Sequence, residues 1–554
     1  MATIRKQKVG KYTYWQIVES KRVNGKPRPV VLMHLGTAEQ LLYKLKEGPL
    51  QKEIRSASHG AVQLFWQTAE ELDLINIFNR HFSAQVRDGL SVGKSLLLAA
   101  IHRAIKPDSK RAFSTWAKQT TLPEIAGFNP EKLDSQHFWE QMDTVTDGQL
   151  EEVEKEITKK MIAKGLLSSK LLFYDLTNFF TYISTTNENS KLAQRDRNKQ
   201  KRNDLKQFGL AQVATREFLI PVLSQIYEGN KTDKELFIPS LTKIRKKLSE
   251  LNLQLEEFTI VFDKGSNSKA NFAKLDDSKL PYVACLTATY HKDLLDIPLS
   301  NYQQVKVNGK ECLCYRTKKK VWGKERTIVI TLSEKLRQGQ LRGLNQALVK
   351  KQEQLQELKN KLNSPRAKKR TLKEIEEKVK NIVKGERCHE IFNVSITEKD
   401  DGRFDIDWEI NSQVYQWITQ NLYGKKLLVT CREDWSTEEI IAAYYGQSNI
   451  ERVFKHLKNP YHHAVYPQYH WTDQKIKVHT FICLIGLLLS QVLWKKARDA
   501  SYSMSIETLI DRLTEIRKAE IVTITSLKGK PKKQTQLEKM DLELQKLYET
   551  LIEK

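Results

Sequence analysis

The chain has 554 residues, enough for roughly three or four domains with sizeable buried cores. Its 92 lysines and arginines against 67 aspartates and glutamates leave a net charge of +25, which suits a polyanionic partner better than a small neutral substrate. Six scattered cysteines exclude a disulfide framework, and "MATIRKQKVGKY" lacks the apolar core of a signal peptide.

The longest apolar run, residues 481–494, falls short of the ~20 residues a bilayer span needs, so a buried helix and no membrane are expected. Cys312 and Cys314 form a C-x-C without the second pair that a zinc site requires, and a structural role is expected for them. His462, His463 and His470 lie close in sequence but impose no metal geometry, and are expected at the surface. The composition fits a reducing, cytoplasmic setting.

In chain order, residues 1–50 open with alternating runs on either side of Asn24-Gly25, a tight-turn dipeptide, and predict a β-hairpin region. Over 51–168 the period becomes helical, as in "HGAVQLFWQTAEELDLINIFNRHF", with Pro, Gly and Asp-rich breaks. A helical domain of this size is expected to grip DNA, although a packing domain reads the same way from sequence.

Strand signals return in 169–290: "KLLFYDLTNFFTYI", "FGLAQVATRE" and "IPVLSQIYEG". A loop follows in which Asp233 is expected to cap the helix "KELFIPSLTKIRKKL". "EFTIVFDKGSN", a short helix and "YVACLTATY" complete the run. Three strands, helix, strand, helix, strand is the order of an RNase H-like core, an α/β fold with a mixed sheet.

Residues 291–432 read as a large α+β insertion. Short strands around "QQVKVNGKECLCYR" and "KERTIVITL" precede Leu341, Leu344, Leu348, Leu355, Leu358 and Leu362 at a and d spacing. Pro365 breaks that helix, and Leu372, Ile375, Val379 and Ile382 begin a second, an αα-hairpin. Residues 335–385 hold 15 basic and 5 acidic side chains, so its solvated faces are positive and suit a duplex-embracing arm. Two further strands are expected before the core resumes at 433–500, ahead of a basic helical tail over 501–554.

Three carboxylates stand out by context. Asp175 interrupts the apolar run of the first core strand, where an unpaired charge is costly unless something binds it. Asp263 ends the fourth strand, at the kind of sheet edge where sites are built. Glu451 lies in "YYGQSNIERVFKHLK", residues 444–458, expected as one helix with Ile450, Phe454 and Leu457 on its buried face. At about 100° per residue, Tyr444, Gln447, Glu451, Lys455 and Lys458 fall within about 80° on a neighbouring face. Singly, each carboxylate has an ordinary structural explanation. Together, in this order and in a basic protein, they suit in-line phosphodiester chemistry at a two-metal site. Mg²⁺ suits such a set, being held by a few carboxylates with waters and phosphate oxygens.

At these residues the chain resembles the DDE transposases of bacterial insertion sequences, within the insertion-sequence-four superfamily and its sixteen-thirty-four branch. The superfamily signature is a Tyr-x2-Arg-x3-Glu-x6-Lys helix, matched in place by Tyr444, Glu451 and Lys458. "YDLTNFF" resembles the first catalytic block, "VFDKGSNS" the second and "EGNKTDKELF" a segment between them. One departure is Gln447, which stands at the signature arginine; Lys455 is the nearest candidate substitute cation.

The resemblance implies that Asp175, Asp263 and Glu451 are catalytic and hold two Mg²⁺ ions, with Mn²⁺ an acceptable replacement. It also implies that Tyr444, Gln447, Lys455 and Lys458 meet DNA. The implied activity is binding of the terminal inverted repeats of double-stranded DNA, metal-dependent end cleavage, and 3′-OH attack on target DNA. A homodimer in the synaptic complex and a nucleoid-associated location are implied with it. The alternatives are an RNase H-like nuclease without strand transfer, and a catalytically inactive DNA-binding protein derived from a transposase.

Overall fold

The computed structural model describes residues 2–23, 26–46, 52–167, 170–196, 198, 201–365, 368–523 and 532–553. The chain separates into two compact units. One comprises residues 1–67, 109–135 and 496–554, and the other residues 68–108 and 136–495.

In the first unit, strands Ala2–Val9, Tyr12–Val23 and Lys26–Thr37 form an antiparallel sheet. It has one strand more than the hairpin reading; the Asn24-Gly25 turn lies outside the described residues. A second sheet pairs Lys52–Ser58 with Arg517–Thr523, which pairs in turn with Lys532–Leu537. The stretch 51–168 therefore opens with a strand, and its helices are divided between the two units. The expected helical tail likewise contains two strands. No short-range signal marks this pairing, because its partners lie more than 450 residues apart in the chain.

The second unit is built on a nine-stranded mixed sheet. Five strands form its centre: β1 (Leu171–Thr181), β2 (Lys206–Thr215), β3 (Pro221–Glu228), β4 (Thr259–Phe262) and β5 (Tyr282–Leu286). Their order is β5-β4-β1-β2-β3. β1, β2 and β3 are antiparallel neighbours, while β4 runs parallel to both β1 and β5. Helix α1 (Asp233–Glu250) joins β3 to β4, and α2 (Lys269–Ser278) joins β4 to β5. β4 and β5 are buried along their whole length, as parallel strands covered on both faces must be. These elements and their sequence match the expected order.

The expected separate insertion begins otherwise. β6 (Gln303–Val307), β7 (Lys310–Val321) and β8 (Lys324–Leu332) extend the same sheet. They are joined to β5 through β9 (Lys425–Thr430), a strand the sequence reading did not separate from its surroundings. Ile328, Val329 and Ile330, like Leu427, Leu428 and Val429, are buried successively on both faces. Such runs cannot form the half-exposed strands of a small module.

The remainder of the insertion is a hairpin of α3 (Glu334–Leu362) and α4 (Leu372–Ile382). Leu344, Leu348, Leu355, Leu358 and Leu362 meet Ile375 and Val379 in one core; Leu341, also at the predicted spacing, is half-buried. That core continues into Phe392 and Ile406 of a two-stranded sheet, Phe392–Glu398 with Phe404–Ile410. Ser333 accepts the Leu336 N–H at the start of α3, and Thr371 and Glu374 form a reciprocal capping box on α4.

The expected single helix over 444–458 is instead α5 (Thr437–Gly446), a 3₁₀ turn at Gln447–Asn449, and α6 (Ile450–Lys458). The tighter turn breaks the uniform 100° progression, so the five polar residues do not share one continuous helix face. Ile450, Phe454 and Leu457 are buried as expected, and Val453 joins them.

The apolar run belongs to α7 (Asp473–Asp499), whose 27 residues are long and apolar enough to cross a membrane. However, 94% of its apolar window is buried inside the protein, where Ile476, Cys483, Leu484 and Leu487 join the core of the sheet. It is a core helix. His462 and His463 are likewise buried, contrary to the surface expectation, with His463 Nε2 2.6 Å from Ser490 Oγ of α7. His470 is half-buried beside His479, at 5.0 Å between rings. All six cysteines are free.

Candidate active site

The register of the sheet brings the first two carboxylates together. Val261 of β4 pairs with Phe173 of β1, and Asp263 and Asp175 each follow by two residues. Side chains alternate along a strand, so both leave the sheet on the face that carries Phe173 and Val261. That face is the one covered by α6: Phe173 and Val261 share a core with Ile450, Val453, Phe454 and Leu457. Gly446 permits this approach, because a methyl group there would lie 2.8 Å from the Phe173 ring. Burying the apolar side of α6 therefore turns its polar side, with Glu451, toward the end of β1.

All seven residues singled out from sequence line one open cleft of about 750 Å³: Asp175, Asp263, Glu451, Tyr444, Gln447, Lys455 and Lys458. Asp175 is half-buried, whereas Asp263, Glu451 and Lys455 are exposed to the cleft. Burial pushes the Asp175 carboxyl up to about 7; the Leu176 N–H, donating to its Oδ1 at 2.8 Å, works against this. The charges of Asp233, Asp263 and Glu451 push it further in the same direction. A carboxylate so placed gains from a nearby positive charge.

The neighbours of these carboxylates were not all foreseen. The Tyr444 ring is buried and its hydroxyl donates to Asp263 Oδ1 at 3.0 Å, which differs from the expectation of a residue turned toward DNA. Gln447 is also buried, and its Nε2 donates to the backbone carbonyl of Tyr174 at 3.4 Å. Lys458 Nζ donates to Thr177 Oγ1 at 2.6 Å and lies 5.3 Å from the centre of the Phe179 ring. Lys426 of β9 stands over the rings of Tyr444 and Tyr445, at 5.1 and 5.2 Å. It escaped the sequence reading with its strand, although a Lys-Lys pair ahead of "LLVT" was a visible signal.

Asp233 is the other residue missed. Its sequence position predicts a helix cap, but Thr232 holds the cap position of α1, and Glu235 accepts the Thr232 N–H at 2.8 Å. Asp233 lines the cleft instead.

The donor set is all oxygen, hard and anionic, and its chemistry fits Mg²⁺ or Mn²⁺ rather than a soft metal. Among the described residues, no group of three or more Asp, Glu, His or Cys side chains is placed to hold a metal ion, so the protein forms no cage for one here. Mg²⁺ does not demand such a cage, since it keeps waters and substrate phosphates among its ligands.

The chain matches the IS1634 family transposase N-terminal domain over residues 2–63 and the transposase DDE domain over residues 183–466, the latter match beginning just after β1. No curated protein matches it. A solved structure described as a piggyBac transposase synaptic complex with hairpin DNA matches 82% of this chain and 78% of that chain, at 9% identity and a TM-score of 0.36. A likeness of that degree adds nothing to the assignment. The two family matches do: the chain belongs to the IS1634 family of DDE transposases, and is an enzyme of that class.

Proposed function

We propose that this transposase binds the terminal inverted repeats of its own element, hydrolyses a strand at each end, and joins the exposed 3′-OH to target DNA. The observation that carries this reading is the meeting of Asp175, Asp263 and Glu451 with Lys455 and Lys458 in one open cleft. Two adjacent strands and a helix docked on the same face supply the three acids. A pair of Mg²⁺ ions held by them would stabilise both the attacking and the leaving oxygen of an in-line displacement.

The protein's own groups have separable tasks. Asp175 is the least exposed of the three carboxylates and would share with Asp263 and Glu451 in holding the metal. Tyr444 fixes one oxygen of Asp263, so that carboxylate keeps a single orientation. Lys458 and Lys455 face the path of the DNA backbone, where ammonium groups act as point charges on phosphate. Gln447 supports the Tyr174 carbonyl immediately before Asp175, and so acts on the strand rather than on DNA. The basic hairpin α3–α4 provides a phosphate-contacting surface away from the cleft. Two ends must be held for a concerted reaction, and a homodimer in the synapse meets that need.

The test is a reaction of the purified full chain with end DNA, target DNA and Mg²⁺. Covalently joined end–target products support the reading. Nicks or double-strand breaks without joined products would instead identify a nuclease. Specific end binding without any cleavage, in Mg²⁺ or Mn²⁺, would identify an inactive DNA-binding descendant.

A further inference from the structure

We propose that Asp233 is a fourth metal-facing carboxylate of the cleft, acting beside Asp175 and Asp263. The proposal rests on the reading of the cleft as a divalent-metal centre, and adds a residue to it.

Three observations converge on Asp233. Its helix does not need it as a cap, because Thr232 and Glu235 occupy those positions. Its carboxylate is laid on the turn that carries Asp263: a Cβ on Gly265 would lie 2.3 Å from Asp233 Oδ2. With glycine at 265 the carboxylate rests there without displacement. It lines the same cleft as the three acids and is exposed to it. A fourth anion drawn in among three others raises mutual repulsion. That cost is offset where the group shares in holding a cation.

The experiment is a titration of the purified full chain, without DNA, with Mn²⁺, reading free and bound metal by electron paramagnetic resonance. Asp233→Asn is expected to weaken Mn²⁺ binding by about 10- to 100-fold, the loss typical when a supporting group of a metal site is removed. Asp233→Glu should restore part of the affinity. Gly265→Ala keeps all four carboxylates but places a methyl group where Asp233 Oδ2 lies, and should weaken binding as well. Glu235→Ala removes the capping partner of α1 without touching the cleft, and should leave Mn²⁺ affinity unchanged.

Asp175→Asn calibrates the whole. If it does not weaken Mn²⁺ binding, the metal reading of the cleft falls, and this proposal with it. If Asp175→Asn weakens binding and Asp233→Asn does not, only the role of Asp233 is overturned. Equal losses in Asp233→Asn and Glu235→Ala would overturn it too, by assigning the effect to the start of α1.

Discussion

The Tyr444 hydroxyl donates to Asp263 Oδ1 across 3.0 Å, which ties the segment leading into the Glu451 helix to the carboxylate at the end of β4. A hydrogen bond to a charged group is worth ~1.5 to 3 kcal/mol, equivalent to roughly 10- to 150-fold in rate if it is needed in the transition state. Tyr444→Phe keeps the buried ring and removes only this bond. End cleavage is expected to fall by at least about tenfold, with the melting temperature little changed. A variant that cleaves at the wild-type rate would show that the bond is incidental to Asp263.

Lys458 bridges α6 and β1 through Thr177 Oγ1. Lys458→Ala should weaken binding of a pre-cut end, because both the charge and the tether are lost. Thr177→Val preserves shape and removes the acceptor, so its effect should be smaller. Equal losses in the two variants, measured as dissociation constants for end DNA, would mean that the tether matters and the charge does not.

Much of this site is readable in the sequence. Asp175 and Asp263 are legible because a charge inside an apolar strand, and one at the end of another, contradict their surroundings. The apolar face of α6 is legible from its spacing. The parts that were not legible depend on contacts distant in the chain. β9, "KKLLVT", reads as a short isolated run until β5 and β8 flank it. The 3₁₀ turn at Gln447–Asn449 carries no Pro or Gly of its own to announce it. Asp233 was hidden by a plausible local role, since an acid in the first turn of a helix satisfies the helix dipole wherever else it points. Cap position and cleft position differ by one residue there, and only the fold separates them.

Gln447 stands at the position of the signature arginine, and its amide is spent on the Tyr174 carbonyl inside the protein. An arginine there would bring a charge into a buried setting, which is costly until a phosphate pairs with it. Gln447→Arg is therefore expected to lower the melting temperature of the free protein and to recover it on binding end DNA, where a guanidinium grips phosphate with two donors. Thermal melts with and without end DNA check this. A variant of lower stability in both states would show that the side chain does not reach the DNA path. If Lys455 is the substitute cation, Lys455→Ala should also cost less cleavage activity in the Gln447→Arg background than alone.

The hairpin α3–α4 shares its core with Phe392 and Ile406, so removing it would expose apolar surface and confuse stability with DNA binding. Replacing exposed lysines is cleaner. Lys350, Lys373 and Lys380 lie on its solvated faces. If all three touch phosphate, changing them to alanine should reduce the slope of log affinity against log salt by about 2.7, at about 0.9 for each contact. An unchanged slope would assign these faces to a protein partner or to a second copy of the chain.

The central claim is that Asp175 is the innermost acid of a metal-dependent phosphoryl-transfer site. Asp175→Asn removes one charge and no volume, at a half-buried position that burial and three neighbouring carboxylates already make unfavourable for an anion. Folding and end binding should therefore survive it. The decisive measurement is cleavage of labelled end DNA by this variant in Mg²⁺, beside its affinity for the same DNA. No cleavage with end binding retained is expected; cleavage at the wild-type rate would remove Asp175 from the reaction.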